Sequence, residues 1–269
     1  MVDIDAAIGF VVAHGDPVEK ARVAWLRSGR APDERVLVQA EYNQTASGGW
    51  AATSGSQTPS IDATCFHLAE LDDLGALGRP AARRALAWLA SRQQPDGTWE
   101  EDRALAGTAP PWAMPGDPEA RLYLTTHAGF WLAVAGPPEP PPSEAATAHE
   151  SGVLRAAAAF RSCVQPDGSW PSFLVAGWYG AALLQRTGWF YEAAMVQLTL
   201  EKRVNELGAS DVASIGAVLR RVGVSSDDRL LVSVRQRLGV LQRSDGGWIS
   251  DDGPAFDVHT TLTAIRAAH

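Results

Sequence analysis

The 269-residue chain is poor in several features, and each scarcity removes a class of protein. Its two cysteines, Cys65 and Cys163, are too few for a disulfide framework and fit neither paired Cys-x-x-Cys zinc spacing nor a redox motif, so a reducing cytoplasm is the expected compartment. No basic surplus exists to neutralise phosphates: the formal net charge is −8 and the pI is near 5.2, which speaks against nucleic acid and anionic membranes as partners. No apolar run approaches the roughly 20 residues of a membrane span. The apolar N-terminus lacks a positive leading region and is interrupted by Asp3 and Asp5, so it does not read as a secretory signal. No Walker loop, Gly-x-Gly-x-x-Gly turn or Asp-Asp-x-x-Asp magnesium-diphosphate phrase is found, and no cofactor is expected. Disorder is excluded as well, because 46% of residues are hydrophobic and only 20% are charged. The composition predicts a folded, soluble protein suited to a neutral or apolar ligand.

One phrase recurs four times: Gln44 to Gly-Gly-Trp50, Gln93 to Asp-Gly-Thr-Trp99, Gln165 to Asp-Gly-Ser-Trp170, and Gln242 to Asp-Gly-Gly-Trp248. Each ends a stretch such as Ala81 to Gln93, whose apolar residues return at three- and four-residue spacing and predict an amphipathic helix. The Gly that follows tolerates positive φ and can terminate that helix. The Trp can then lie back on the helix ends while the Gln amide satisfies backbone groups left over there. Second helices open with small polar starts at Ser60-Ile-Asp62, Ser210-Asp211 and Asp257-Val-His259, and their Ala, Gly, Ser and Thr content suits an inner layer.

This spacing predicts helices over about 3–14, 16–28, 33–43, 61–76, 80–93, 119–135, 152–164, 173–187, 189–207, 211–222, 227–242 and 257–268. Short Gly-containing links favour antiparallel neighbours, so twelve helices make six hairpins. The expected architecture is all-α, an (α/α)6 toroid in two concentric layers formed by residues 1–269 as one domain. Two loops stand out: 103–118, expected over one end of the ring, and a stiff Pro-rich excursion near 136–143.

The four phrases resemble the QW motifs of squalene and terpene cyclases, and the helix starts resemble the repeat of protein prenyltransferase β subunits. Phe160-Arg161 leading to Gln165 and Trp88-Leu89 leading to Gln93 match the aromatic lead-in of that motif. From about residue 30 to the C-terminus the chain is similar to a single-domain, bacterial-type, squalene-hopene cyclase-like member. The resemblance implies an isoprenoid chain bound in or beside the ring against aromatic side chains. It also implies carbocation chemistry begun by protonating an alkene or epoxide. Because family cyclases use at least two helical domains, a lone ring implies either a site wholly inside it or a homodimer or partner domain.

Proton-initiated cyclases carry Asp-x-Asp-Asp-Thr at an inner helix start, with the middle Asp as donor. Aligned on Thr64, this chain has Ser60-Ile-Asp62-Ala63-Thr64, which keeps the middle Asp and loses both flanking carboxylates that would tune it. Asp62 therefore has two readings, a buried acid or a helix cap accepting from first-turn N–H groups. Asp257 and His259 occupy the equivalent phrase in the last repeat. His259 also resembles a prenyltransferase zinc ligand, with Asp62 and Cys65 as a loosely spaced remainder of the set. Tyr123, His127 and Trp131 lie at i, i+4 and i+8, either facing a ligand or packed in the core; Phe66, Trp178 and Tyr179 share that double reading, and Trp112 in the long loop is a further aromatic candidate. Glu70-Leu-Asp72-Asp73 reads as solvated charge.

Three functions follow. The first is a class II terpene cyclase-like enzyme acting on a polyprenyl substrate. The second is a non-catalytic module that binds an isoprenoid or a protein. The third is a carbohydrate-active α/α toroid using Asp62 and Asp257 as paired carboxylates.

Overall fold

Some helices of this chain bury a single apolar stripe, whereas others are buried on nearly all sides. The computed structural model describes residues 1–53, 55–136 and 143–269, with side chains of 143–147 left aside. Among the described residues it has twelve α-helices: α1 (Ile4–His14), α2 (Pro17–Ser28), α3 (Glu34–Ala40), α4 (Ile61–Asp73), α5 (Pro80–Ser91), α6 (Pro118–Ala135), α7 (Ser143–Arg161), α8 (Leu174–Arg186), α9 (Phe190–Arg203), α10 (Ala209–Arg221), α11 (Arg229–Leu241) and α12 (Asp257–Ala268). One-stripe helices include α5, buried at Ala81, Ala82, Ala85, Trp88 and Leu89, and α11, buried at Leu230, Leu231, Val234 and Leu238. By contrast, α6 is buried without a break from Leu122 to Ala133.

Contacts divide the chain into two compact units. Met1–Ala40, Asp73–Gly75 and Gln197–His269 form the first; Glu41–Asp72 and Ala76–Val196 form the second. Within the first unit α10 packs on α12, and α12 on α2; within the second α6 packs on α7 and α8. Small residues allow these approaches: a Cβ at Gly216 of α10 would come within 2.6 Å of Ala267 on α12.

Three of the four corners share one set of bonds. The side-chain amide nitrogens of Gln44, Gln93 and Gln242 donate to the carbonyls of Gly48, Gly97 and Gly246. They donate again to Ala81, Gly152 and Asp3, carbonyls in or beside the next one-stripe helix. Those glycines hold φ of 105°, 88° and 88°, and a Cβ on Gly97 would lie 2.6 Å from the Arg155 carbonyl oxygen. The Trp backbone N–H groups donate to Thr64, Thr125 and Thr261 at 2.9, 3.0 and 3.2 Å. Each Thr hydroxyl in turn donates to the carbonyl four residues back, at Ser60, Arg121 or Asp257. The indoles of Trp99 and Trp248 reach the Leu89 and Leu238 carbonyls. The Gln165 corner differs: its amide turns to Cys163, Trp170 bonds Phe173, and the indole is half-buried.

Three departures from expectation are physical. A short antiparallel pair, β1 (Trp50–Ala51) with β2 (Pro59–Ser60), joins the first corner to α4 where a plain loop was expected. Helix α7 begins at Ser143, nine residues early, because Ser-Glu-Ala-Ala-Thr-Ala-His-Glu-Ser carries no apolar period to announce it. Most of the Pro-rich excursion lies outside the described residues. Asp73 is not solvated: it is 2% exposed, and Arg22 (2.9 Å), Arg221 (2.7 Å) and Arg266 (3.3 Å) of the same unit close on it. Burial pushes its carboxyl up, but the three guanidiniums outweigh burial and hold it below the usual range.

Two outcomes follow for stability. Trp99→Ala and Trp248→Ala, at fully buried corners, should each cost about 3–5 kcal/mol, and half-buried Trp170→Ala about 1–2 kcal/mol, in urea unfolding; equal losses would erase the distinction between corners. Asp73→Asn should cost about 3–5 kcal/mol near neutrality by leaving buried guanidiniums uncompensated. Because the folded carboxyl sits below its unfolded value, its contribution is full above the unfolded value and fades as pH falls through the folded one. The Asn variant should therefore show a flatter acid limb of stability against pH.

Candidate functional site

The residue two places before each clamping Thr is presented in the same way at three helix starts: Asp62 before Thr64, Tyr123 before Thr125, and His259 before Thr261. In the second unit two of these meet. The Tyr123 hydroxyl donates to Asp62 Oδ1 at 2.6 Å, and the Trp112 indole N–H donates to Oδ2 at 3.1 Å. With its one proton committed to Asp62, the phenol oxygen accepts from His127 Nδ1–H at 3.0 Å, and that nitrogen lies 3.8 Å from Asp62 Oδ1. The run His127 to Tyr123 to Asp62 is thus a directed chain of donors ending on a carboxylate.

The cap reading of Asp62 is overturned. Glu101, 4% exposed, accepts at Oε2 from the Ile61 N–H (2.9 Å) and at Oε1 from the Asp62 N–H (3.1 Å) and the Ser60 hydroxyl (2.6 Å). Ser60 Oγ in turn accepts from the Ala63 N–H at 3.1 Å. These two residues satisfy the first turn of α4, and the Asp62 side chain is released to face Tyr123 and Trp112. Glu101 was missed in the sequence, and its place in the repeat is visible only from contacts. The second residue after the corner Trp touches the start of the preceding inner helix in two other repeats, Ser172 Oγ at the Glu119 carbonyl (2.6 Å) and Ser250 Oγ at Ser210 Oγ (3.2 Å).

Burial pushes the Asp62 carboxyl up, but contact with His127 and the hydrogen bonds of Tyr123 and Trp112 outweigh it and hold the group below the usual carboxylate range. Burial also lowers His127, and its contact with Asp62 only partly restores it. The Tyr123 phenol is pushed well up by burial and by the neighbouring Asp62 charge, so it stays protonated as a donor. A carboxyl stabilised in this way as an anion is a strong acid whenever it carries a proton.

The aromatic candidates separate. Tyr179 of α8 stacks on His127 with ring centroids 4.1 Å apart and lies 5.2 Å from Phe130, a residue not singled out in the sequence. Tyr123, His127 and Tyr179 therefore line one patch beside Asp62. Trp131 is 1% exposed and packs edge-on against Phe130, while Trp178 is 3% exposed beside Tyr179. Phe66 and Trp112 are exposed, at 42% and 46%. Trp112 sits in the 103–118 segment, which folds into two short 3-10 turns, Arg103–Leu105 and Pro111–Ala113, pinned by buried Leu105 and Ala113.

Asp257 and His259 belong to the first unit, Asp62 and Cys65 to the second. Both oxygens of Asp257 are engaged locally, by Arg243 Nη1 (2.8 Å) and by the Ser250 N–H (2.8 Å). His259 is half-buried on α12. The zinc trio Asp62, Cys65 and His259 does not assemble: among the described residues no three His, Cys, Asp or Glu side chains form a group able to hold a metal ion. Burial, then the charges of Asp62 and Glu101, also push the Cys65 thiol well up, away from the thiolate that zinc requires. No helix of the described residues is long and apolar enough to cross a membrane.

Solved structures share the fold. A variant of the type II terpene cyclase MstE from Scytonema, in complex with its product merosterolic acid A, matches 98% of this chain and 94% of its own at 15% identity, with a TM-score of 0.59. A second MstE variant, in complex with its substrate geranylgeranyl dihydroxybenzoate, matches 98% and 95% at 15% identity with a TM-score of 0.58. A protein from Actinoplanes matches 94% and 89% at 18% identity with a TM-score of 0.55. No family model and no curated protein sequence matches the chain. The fold is accordingly terpene cyclase-like and all-α, an (α/α)6 toroid whose twelve described helices alternate between an inner and an outer layer.

The hydrogen-bond assignment has a direct check. Tyr123→Phe removes a short donor from Asp62, so the Asp62 carboxyl should titrate at higher pH than in the parent protein, followed by carbon-13 NMR of labelled aspartate with Asp62→Asn identifying the resonance. An unchanged midpoint would mean that Tyr123 does not stabilise the anion.

Proposed function

We propose that the chain is a class II terpene cyclase-like enzyme that takes a polyprenyl substrate against the Tyr123, His127 and Tyr179 patch and starts its cyclisation with a proton from Asp62. The observation that carries this reading is the release of Asp62 from capping: an inner-helix acid is held by two donor side chains, Tyr123 and Trp112, with His127 Nδ1 at 3.8 Å, beside aromatic rings. In the initiating step the Asp62 O–H bond breaks, its electron pair stays on the carboxylate, and an alkene carbon gains the proton. The neighbouring carbon is left cationic and is attacked by the next double bond. Aromatic faces suit such a cation through their negative quadrupole. Loss of a proton from the final cation closes the balance, so no cofactor is required.

The length of the chain agrees with this role, because it spans nearly the whole of MstE, a protein solved with both a geranylgeranyl substrate and a cyclic product. The same reading takes residues 1–269 as one catalytic domain, with Asp257 and His259 supporting the last repeat rather than reacting. Oligomeric assembly is not required by it.

Linear prenyl diphosphates, squalene and geranylgeranylated aromatic acids, analysed by mass spectrometry, should yield a cyclic isomer that Asp62→Asn abolishes. A ligand retained on purification and equally bound by Asp62→Asn, with no isomer from this panel, would favour the non-catalytic binding module instead. Since Asp62 sits below the usual carboxylate range, its protonated fraction grows about tenfold for each pH unit of acidification above its own midpoint. The rate at low substrate should climb in step as pH falls from 8 towards 6; a rate that falls there would rule out Asp62 as the initiating acid.

A further inference from the structure

Glu101 lies outside the helix that carries the acid, yet it is bound to the start of that helix by every hydrogen bond it makes here. We propose that Glu101 is a positioning residue for Asp62, a carboxylate brought in from the Trp99 corner to the place where proton-initiated cyclases use the first Asp of their own phrase. The proposal rests on the reading of Asp62 as the acid, and three observations carry it.

The first is location. Ser60 stands two residues before Asp62, where the cyclase phrase has a carboxylate, and its hydroxyl donates to Glu101 Oε1 at 2.6 Å. The second is orientation. By taking the Ile61 and Asp62 N–H groups, with Ser60 taking that of Ala63, Glu101 leaves no first-turn donor to draw the Asp62 carboxylate back onto its own helix. The third is charge. All three partners are donors, so the group acts purely as an acceptor, as an ionised carboxylate does. Burial, the largest influence, pushes the Glu101 carboxyl up, its three donors pull it down, and the Asp62 charge pushes it up again. By the same reciprocity a charge on Glu101 makes ionisation of Asp62 harder. Glu101 therefore works against Tyr123 and Trp112 and keeps the acid loadable. At the other corners the same position holds Ala52, Ser172 and Ser250, and a carboxylate stands only at the one facing Asp62.

Glu101→Gln preserves size and removes the charge. Carbon-13 NMR of the full-length chain should place the Asp62 midpoint about one pH unit lower in this variant, with thermal unfolding still cooperative. If product forms in the parent, kcat near neutrality should drop on the order of tenfold with KM within about twofold, and the acid limb of the rate profile should move down by the same interval. Glu101→Gln combined with Ser60→Asp returns a carboxylate to the helix start and should restore both the midpoint and kcat; it also keeps a capping oxygen should the single variant fold poorly. An Asp62 midpoint unmoved in Glu101→Gln, or not restored in the double variant, overturns the proposal. Failure of the cyclase reading looks different, with no product from the parent and the midpoint still moving.

Discussion

A threonine hydroxyl makes the two ends of each regular corner one object. At Thr64, Thr125 and Thr261 the oxygen accepts the backbone N–H of a buried tryptophan and gives its own proton to a carbonyl one turn earlier. The loop that leaves an outer helix is thereby fastened to a defined turn of an inner one, and the residue two places earlier is presented at a fixed height. Where the threonine is missing, at the Trp170 corner, the glutamine and indole take other partners and the ring is less buried. The placement of Asp62 and Tyr123 opposite one another is a consequence of two such clamps, at the Trp50 and Trp99 corners, held in register within one unit.

Three buried or partly buried aspartates show how environment divides labour among identical side chains. Asp73 meets guanidiniums and serves as a structural anion. Asp257 is tied to Arg243 and to the Ser250 N–H, a local brace of the last corner. Asp62 meets a phenol, an indole and an imidazole, and its side chain remains 21% exposed. Of the three, Asp62 alone makes its side-chain contacts without a guanidinium, and its environment therefore differs in kind from that of Asp73 and Asp257.

The helices and their order were legible because burial imposes a period, and the corners because Gln, Gly and Trp each answer a separate demand at a helix end. Asp62 was legible as a candidate through the resemblance to the cyclase phrase, and Tyr123 and His127 through their helical spacing. What was not legible required knowledge of partners. Asp73 looks solvated in a run of acidic residues, and only the arginines at 22, 221 and 266 bury it. Glu101 looks like one half of an exposed Glu-Glu pair until the helix start 40 residues earlier is laid against it. Phe130 was overlooked because the i, i+4, i+8 count selected its neighbour Trp131, whereas contact with Tyr179 follows the i+3 step from His127. The β1–β2 pair is two residues a side, too short for alternation to register.

The last corner closes on the first helix: the Gln242 side chain exchanges two hydrogen bonds with the backbone of Asp3, 239 positions away. The unit containing them is assembled from the opening 40 residues and from residues beyond 196. During synthesis at about 5–20 residues per second, α1 and α2 emerge roughly 10–50 s before their packing partner α12. For that interval Phe10, Val11 and Val23, buried in the finished fold, have no core of their own to enter. The unit is therefore complete only once residues beyond 196 have arrived, so its order of assembly cannot follow its order of synthesis.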